Sequence, residues 1–304
     1  SMVIVGLVPV LAAALYFYGW RLVAMIAVSY IAGGTVEVAF AVIRRREIHE
    51  GFLVTGMIFP LVLPPGTPLW MVAAGIMFGV LAGKELFGGT GRNLFNPAIV
   101  GRCFLVLAYP SLLAESWIEP AVSGPGRLLE YVSANTPDAL SGATPLALAK
   151  QGVMTDIWSM FWGGVSGCIG ATSSAAILAG GVFLLFTRVA SWRTVAGIVA
   201  SAFVFSSVLH WSDSQGYGPP LWHLCAGGLL FGAFYMATDP VSSPSTDAGK
   251  WLYGILIGAA TILIRNFSGY VEGIMFAILL GNAFAPVIDE VVIKISMVRL
   301  RDER

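Results

Sequence analysis

The chain has 304 residues, of which 57% are hydrophobic and 11% charged, with a formal net charge of zero and a mean hydropathy of +0.81. Soluble domains run at about a quarter charged residues, so this chain has too little charge to cover a water-facing surface. The balanced charge also leaves no electrostatic footprint for nucleic acid. Taken in chain order, the apolar runs are Met2–Tyr18, a second span carrying Gly33, Gly34 and Glu37, Leu69–Gly83, Ala175–Phe186, Thr194–Leu209, Leu221–Met236, Leu252–Ile264, and Val271–Leu280 with its continuation. Several approach the roughly 18 residues that read as a membrane span. The expected fold is an all-α polytopic membrane protein. The first run lacks a basic leader and a small-residue cleavage site, so it reads as a helix and not a signal peptide. Ser1 before Met2 reads as a cloning remnant, which leaves room for an N-terminal extension.

Charge orders the runs. Arg44–Arg46, the Arg188/Arg193 connection and the tail with Lys294, Arg299, Arg301 and Arg304 are basic and predict the cytoplasmic side. The stretch from Pro110 to Trp158 carries Glu115, Glu119, Glu130, Asp138 and Asp156 against Arg127 and Lys150, and His210–Pro220 carries Asp213 with no base. Both are expected outside. About ten spans satisfy these sides, five before the long loop and five after it, with both termini cytoplasmic. An odd number per half predicts two inverted repeats, a common transporter architecture. The expected division is a first transmembrane repeat over 1–109, an extracytoplasmic loop over 110–160 and a second repeat over 161–304. "FPLVLPPGTP" (Phe59–Pro68) and "MATDPVSSP" (Met236–Pro244) interrupt apolar runs in the two halves. Asn-x-Phe-x-Pro recurs as Asn93–Pro97 and Asn282–Pro286. Backbone freed from helical hydrogen bonds at membrane depth must be buried in protein or line a cavity, so such breaks point to binding sites.

Polar residues inside these runs are the candidate sites. "GKELFGGTGRNLFNPAIVGRCF" (Gly83–Phe104) places Asn93 and Asn96 three apart, on one face if the segment is a helical turn. Their amides suit the edge of a planar heterocycle; the competing reading is a glycine hinge with interhelical hydrogen bonds. Acids in or beside spans are costly and are paired or functional. Here they are Glu37, Glu85, Asp239 and Asp289, with Arg102 and Arg265 as candidate partners. The three cysteines (Cys103, Cys168, Cys225) have no CxxC spacing and read as buried thiols. His49, His210 and His223 are scattered and read as structural or interfacial.

Five stretches together resemble a known family: "EGFLVTGMIFPLVLPPGTPLW", "GKELFGGTGRNLFNPAIVGRCFLVLAYP", "DALSGAT", "FYMATDPVSSPSTDAGKWLYG" and "EGIMFAILLGNAFAPVIDE". The family is that of the B-type subunits of the sodium-translocating NADH:quinone reductase (Nqr), with the D-type subunits of the Rnf electron-transport complex as its neighbours. The resemblance covers the chain from about the second span onward. It implies covalent FMN on threonine in the motif D-x-x-[ST]-G-A-T, met here by Asp138, Ser141, Gly142, Ala143 and Thr144. A flavin transferase would make that bond, since a threonine hydroxyl is a weak nucleophile that needs activation. A second "GAT" at Gly170–Thr172 lacks the rest of the motif. The resemblance further implies noncovalent riboflavin at Asn93 and Asn96, a quinone region at Gly33, Gly34 and Glu37, and a sodium pathway using Glu37, Asp239 and Asp289. The implied setting is a bacterial inner-membrane complex. In it one partner with covalent FMN supplies electrons, another oxidises NADH, and this chain passes electrons to ubiquinone. The chain departs from the family at Ala171, where the family usually has glutamate, and lacks the usual N-terminal extension. The alternatives are a D-type Rnf flavoprotein without quinone reduction, and a channel or transporter on the same fold.

Overall fold

The computed structural model describes residues 2–45, 51–121, 127–128, 131, 142–213 and 216–302, with side chains to residue 298. Among these residues the structure is helical, and the one β-type pairing is an isolated bridge between Gly19 and Tyr131. The helices are α1 Met2–Tyr18, α2 Arg21–Arg44, α3 Gly51–Leu61, α4 Leu69–Gly83, α5 Pro97–Ala108, α6 Pro110–Ala114, α7 Pro145–Ala149, α8 Ile157–Trp162, α9 Ser174–Phe186, α10 Trp192–Ser212, α11 Pro220–Cys225, α12 Leu229–Phe231, α13 Asp247–Phe267 and α14 Ile274–Asp302. Their starts follow ordinary capping chemistry. Asn96, Thr144, Asp156, Ser173, Ser191 and Thr246 each accept a hydrogen bond from an N–H of the first turn. Proline opens α5, α6, α7 and α11, where its missing N–H costs nothing.

Five helical segments are long and apolar enough to cross a membrane: Arg21–Arg44, Leu69–Phe87, Trp192–Ser212, Asp247–Phe267 and Ile274–Val298. Shorter apolar helices are Met2–Tyr18, Gly51–Leu61, Pro97–Ala108 and Ser174–Phe186. The chain is thus a polytopic α-helical membrane protein. One continuous buried core joins α1, α2, α4, α5, α9, α10, α13 and α14.

The polar contacts sort to two ends. At one, Arg193 meets Asp247 (3.1 Å), Arg44 meets Glu85 (2.9 Å), and Asp289 accepts from Ser245 and Thr246. At the other, Lys150 donates to the carbonyls of Ser268 and Tyr270, Gly66 donates to Ser116, and the Trp222 indole donates to Thr155. Among the described residues, Arg44 and Arg193 therefore fall at one end of the helices and Ser116, Lys150 and Thr155 of the long stretch at the other.

The two proline-rich interruptions are real breaks. α3 ends at Leu61, just past Pro60, and a turn leads to Pro68 ahead of α4. In the second half, α12 runs into one π-helical stretch, Gly232–Met236, before the irregular segment to Thr246. The repeated Asn-x-Phe-x-Pro motif does not occupy equivalent places: Asn93–Pro97 precedes α5, whereas Asn282–Pro286 lies inside α14. The two segments meet instead of mirroring each other, with the Asn282 amide 3.3 Å from the Asn96 backbone N–H and 2.6 Å from the Tyr253 hydroxyl.

Candidate functional sites at the two ends of α5

Asn93 and Asn96 do not share a helical turn, as their spacing suggested. Pro97 disfavours helical backbone at the residue before it, so Asn96 is extended (φ −68°, ψ 119°) and caps α5, with its Oδ1 accepting from Ala98 N–H at 3.0 Å. Gly88, Gly89 and Gly91 all take positive φ, which turns the chain between α4 and this segment. Both asparagines nevertheless reach one cavity of about 290 Å3, lined also by Lys84, Thr90, Tyr235, Thr238 and Asp239. The Asn93 side-chain nitrogen donates to Phe95 O (3.2 Å). Capping uses the oxygen of Asn96 and leaves its side-chain nitrogen with no partner among the described residues.

Asp239 lies in the connection after the π turn, outside the candidate spans. It accepts from the Ser242 hydroxyl (2.9 Å) and from Val241 N–H (3.4 Å). Burial pushes its carboxyl above the ordinary carboxylate range, and the hydrogen bonds from Ser242, Val241 and Asn93 oppose that shift. Asp289 is different. Its two oxygens accept from the backbone N–H and hydroxyl of both Ser245 and Thr246, at 2.5 to 3.1 Å. That geometry pins the start of α13 to α14.

Glu37 pairs neither with Arg102 nor with Arg265. Lys84, on the neighbouring α4 terminus, donates to Glu37 Oε1 at 2.5 Å, and both side chains are about 95% buried. Glu37 Oε2 is buried without a partner among the described residues. Three and four residues earlier on α2, Gly34 and Gly33 are close-approach positions. A β-carbon would come within 3.0 Å of Phe52 at Gly34 and within 2.9 Å of Ile76 at Gly33. Neither lines the two cavities described here.

The second cavity lies at the other end of α5. It measures about 550 Å3, and its wall includes Gly142, Ala143 and Thr144 with Pro110, Trp117 and Tyr270. Asp138 and Ser141 of the same motif lie outside the described residues. Thr144 is not on an exposed loop tip: it is only 6% accessible and caps α7, its hydroxyl accepting from Ala147 N–H at 3.3 Å. Ala143 beside it is exposed. Thr172, in the incomplete second motif, is buried and already bonded to the Tyr18 hydroxyl (2.9 Å) and Cys168 O (3.0 Å).

Sequence reasoning missed the charged pair of this cavity. Arg102 on α5 and Glu272 before α14 meet at 2.7 Å across 170 positions, both in its wall. A lone base and a lone acid beside apolar runs were the available signal, but nothing in the spacing joins them. Arg265 is spent differently, donating to the carbonyls of His223 (2.6 Å) and Ala226 (2.8 Å). Ala171 faces a smaller cavity that Thr144 and Glu272 also line. Of the histidines, His210 contacts Tyr217 O (2.7 Å), His223 packs edge-on against Trp222 with neither ring nitrogen hydrogen-bonded among the described residues, and His49 lies outside them.

The two cavities are lined by successive parts of one segment: Asn96, Pro97 and Ala98 line the first, and Arg102, Cys103 and Val106 the second. At 1.5 Å rise per residue, Ala98 and Arg102 are about 6 Å apart along the axis.

The NQR2, RnfD, RnfE family model matches residues 1–297. The chain is similar to the B-type subunits of the Na(+)-translocating NADH-quinone reductase from several bacteria. That of Pseudomonas paraeruginosa (strain DSM 24068 / PA7) is 45% identical over 283 residues, covering 89% of this chain and 66% of the relative. That of Azotobacter vinelandii (strain DJ / ATCC BAA-1303) is 46% identical over 285 residues, covering 90% and 67%. That of Klebsiella pneumoniae (strain 342) is 44% identical over 278 residues, covering 89% and 66%. The chain thus spans just under two thirds of the first and third of these relatives.

Proposed function

The chain belongs to the NQR2, RnfD, RnfE family, and we propose that it is the flavin-carrying electron-transfer subunit of a sodium-translocating NADH:quinone reductase. In this reading Thr144 carries covalent FMN, Asn93 and Asn96 hold a noncovalent riboflavin, and electrons pass to ubiquinone with coupled sodium transport. NADH is oxidised elsewhere in the complex, and a partner with covalent FMN delivers the electrons. The observation that carries the reading is the placement of Thr144 at the wall of a cavity of about 550 Å3, one helical turn of α5 from a second cavity lined by both asparagines. The flavins supply reversible electron uptake when bound. The chain's part is to hold and surround them. Thr144 offers the hydroxyl for attachment, beside a residue without bulk. Asn96 offers a side-chain nitrogen that capping leaves unspent.

The membrane reading extends this. Ten crossings in two halves of opposite orientation draw support from α1–α5 before the long stretch and from α9, α10, the interrupted α11–α12 stretch taken as one, α13 and α14 after it, with a break in each half. Arg44, Arg193 and Lys294 belong to the end we assign to the cytoplasm, and Lys150, Asp213 and the Thr144 cavity to the opposite side. Glu37 and Asp239 are the acids we assign to the ion pathway. Asp289, with four donors on its two oxygens, serves there as a pin. The quinone region at Gly33, Gly34 and Glu37 rests on the family resemblance.

The test is attachment. With the flavin transferase coexpressed, this band should fluoresce after denaturing electrophoresis, and Thr144→Val should abolish the fluorescence. Thr144→Ser should retain part of it, Asp138→Ala should weaken it, and Thr172→Val should leave it intact. Peptide mass analysis should find the FMN adduct on Thr144; a fluorescent Thr144→Val band, or an adduct elsewhere, refutes the assignment.

A further inference from the structure

Arg102 and Glu272 supply the only charged side chains in the wall of the Thr144 cavity among the described residues. They are about 96% and 91% buried. One terminal nitrogen of Arg102 donates to Glu272 Oε2 at 2.7 Å and the other to Cys168 Sγ at 3.1 Å. The Cys168 thiol in turn reaches both Glu272 oxygens, at 3.4 and 3.5 Å. Among the described residues Arg102 has no other hydrogen-bond acceptor, and a guanidinium carries five N–H groups. The pair is therefore not a closed structural knot. It leaves donors beside a space large enough for a tricyclic ring. Arg265 also lies near Glu272, at Gly227, but it is outside the wall of this cavity; its terminal nitrogens donate to the carbonyls of His223 and Ala226, and its Nε has no partner among the described residues. The local charge is held by geometry, because an arginine does not give up its proton in a protein.

A group that takes up an electron in such a cavity gains negative charge where the dielectric is low. A fixed cation nearby favours the reduced form and a fixed anion opposes it, far more than either would in water. Building on the proposed attachment at Thr144, we propose that Arg102, oriented by Glu272 and Cys168, sets the reduction potential of the flavin held in this cavity. Arg102 acts as the compensating charge and Glu272 as the counter-charge that limits its effect. Both are tuning residues and take no part in making or breaking a bond.

The two charges act in opposite senses, which separates this role from a structural one. Arg102→Gln lowers the local charge by one and Glu272→Gln raises it by one. Spectroelectrochemical titration of the assembled complex should show one flavin couple moving to lower potential in Arg102→Gln and to higher potential in Glu272→Gln, with the other couples unmoved. Arg102→Lys and the double variant Arg102→Gln/Glu272→Gln keep the charge balance and should stay near wild type. Denaturing-gel fluorescence on this band reports separately whether a flavin is attached. A dark wild-type band ends the attachment reading, and the same titration then finds no couple that answers to these residues. A fluorescent band whose couple moves the same way in both single variants, or in neither, overturns the tuning role. If Arg102→Gln fails to assemble, Glu272→Gln and the double variant still decide the sign.

Discussion

The buried pair between Lys84 and Glu37 can be tested quantitatively. Lys84 Nζ lies 2.5 Å from Glu37 Oε1, both side chains are almost wholly buried, and the second carboxylate oxygen has no partner among the described residues. Lys84→Met removes one charge and leaves the other in a site built for a pair. Breaking a buried pair from one side typically costs about 3–5 kcal/mol, because the remaining charge is uncompensated. At roughly 2–4 °C per kcal/mol for a chain of this order of size, the apparent melting temperature should fall by about 6–20 °C. Glu37→Gln should fall by a comparable amount, since it strands the ammonium.

The double variant Lys84→Met/Glu37→Gln removes both charges and should recover most of the loss, because a desolvated pair contributes little net stability over a neutral replacement. The measurement is fluorescence-detected size-exclusion chromatography after a temperature series in detergent, compared as a double-mutant cycle. Unfolding of a membrane protein on heating is commonly irreversible, so the cycle is read at one heating time for all four proteins. Single variants within about 2 °C of wild type, on a scale of roughly 2–4 °C per kcal/mol, would show that the pair is solvated or loosely held. A double variant as unstable as the worse single would show that packing of the two stems dominates, and the ion-pair account would fail.

Two further outcomes follow from the cavity near α5 and the connection beside it. Asn93→Leu/Asn96→Leu should lose noncovalent riboflavin from the purified complex while gel fluorescence persists, each lost buried hydrogen bond costing about 1–3 kcal/mol. Extraction and quantification of flavin checks this, and full riboflavin occupancy would remove both residues from the site. Asp239→Asn should reduce sodium stimulation of quinone reduction and leave NADH oxidation by an artificial acceptor intact; unchanged sodium dependence would remove Asp239 from the pathway.

The helices were legible because hydropathy reports what surrounds a side chain, and these side chains are surrounded by protein and lipid. Breaks in the backbone are reported less directly. Leu221–Met236 reads as one apolar run, yet α11 ends at Cys225, Gly227 turns with φ +62°, and α12 resumes at Leu229. The carbonyls freed there are met by Arg265, some 40 positions away in the chain, and no local pattern announces such a donor. Proline gave fuller warning at Phe59–Pro68, because it removes an N–H at a known position. The two asparagines come together for a reason other than the expected one: the expected helical face is broken at Pro97, yet the extended segment brings both to the wall of one cavity. Charge pairing was the least legible layer. Lys84 with Glu37 and Arg102 with Glu272 are separated by 47 and 170 positions, and only the packing of α2 on α4, and of α5 beside α14, brings them together.

That packing bears on the proposed transfer of electrons between the two cavities. α5 is short, and it is clamped. α4 and α5 approach so closely at glycines that a β-carbon at Gly101 would collide with the Gly75 carbonyl of α4, and one at Gly79 would come within 2.9 Å of the Gly101 nitrogen. Asn96 and Pro97 fix its start, and the Arg102–Glu272 pair ties its middle to the second half of the chain. A helix held at its start, along one face and at its middle has little freedom to slide or rotate. The spacing between residues lining the first cavity and those lining the second is then set by covalent geometry, about 6 Å of axial rise from Ala98 to Arg102. Electron transfer between groups in the two cavities needs such a fixed separation, whereas ion movement needs something that changes. The part free to change is thus better sought outside α5. The segment after the π turn is the candidate under that proposal: Asp239 there lines the first cavity, sits on irregular backbone held locally by Ser242, and meets Asn93 across the cavity wall. Under the proposed function, charge arriving with a flavin in that cavity would act on that carboxylate directly, without α5 having to move.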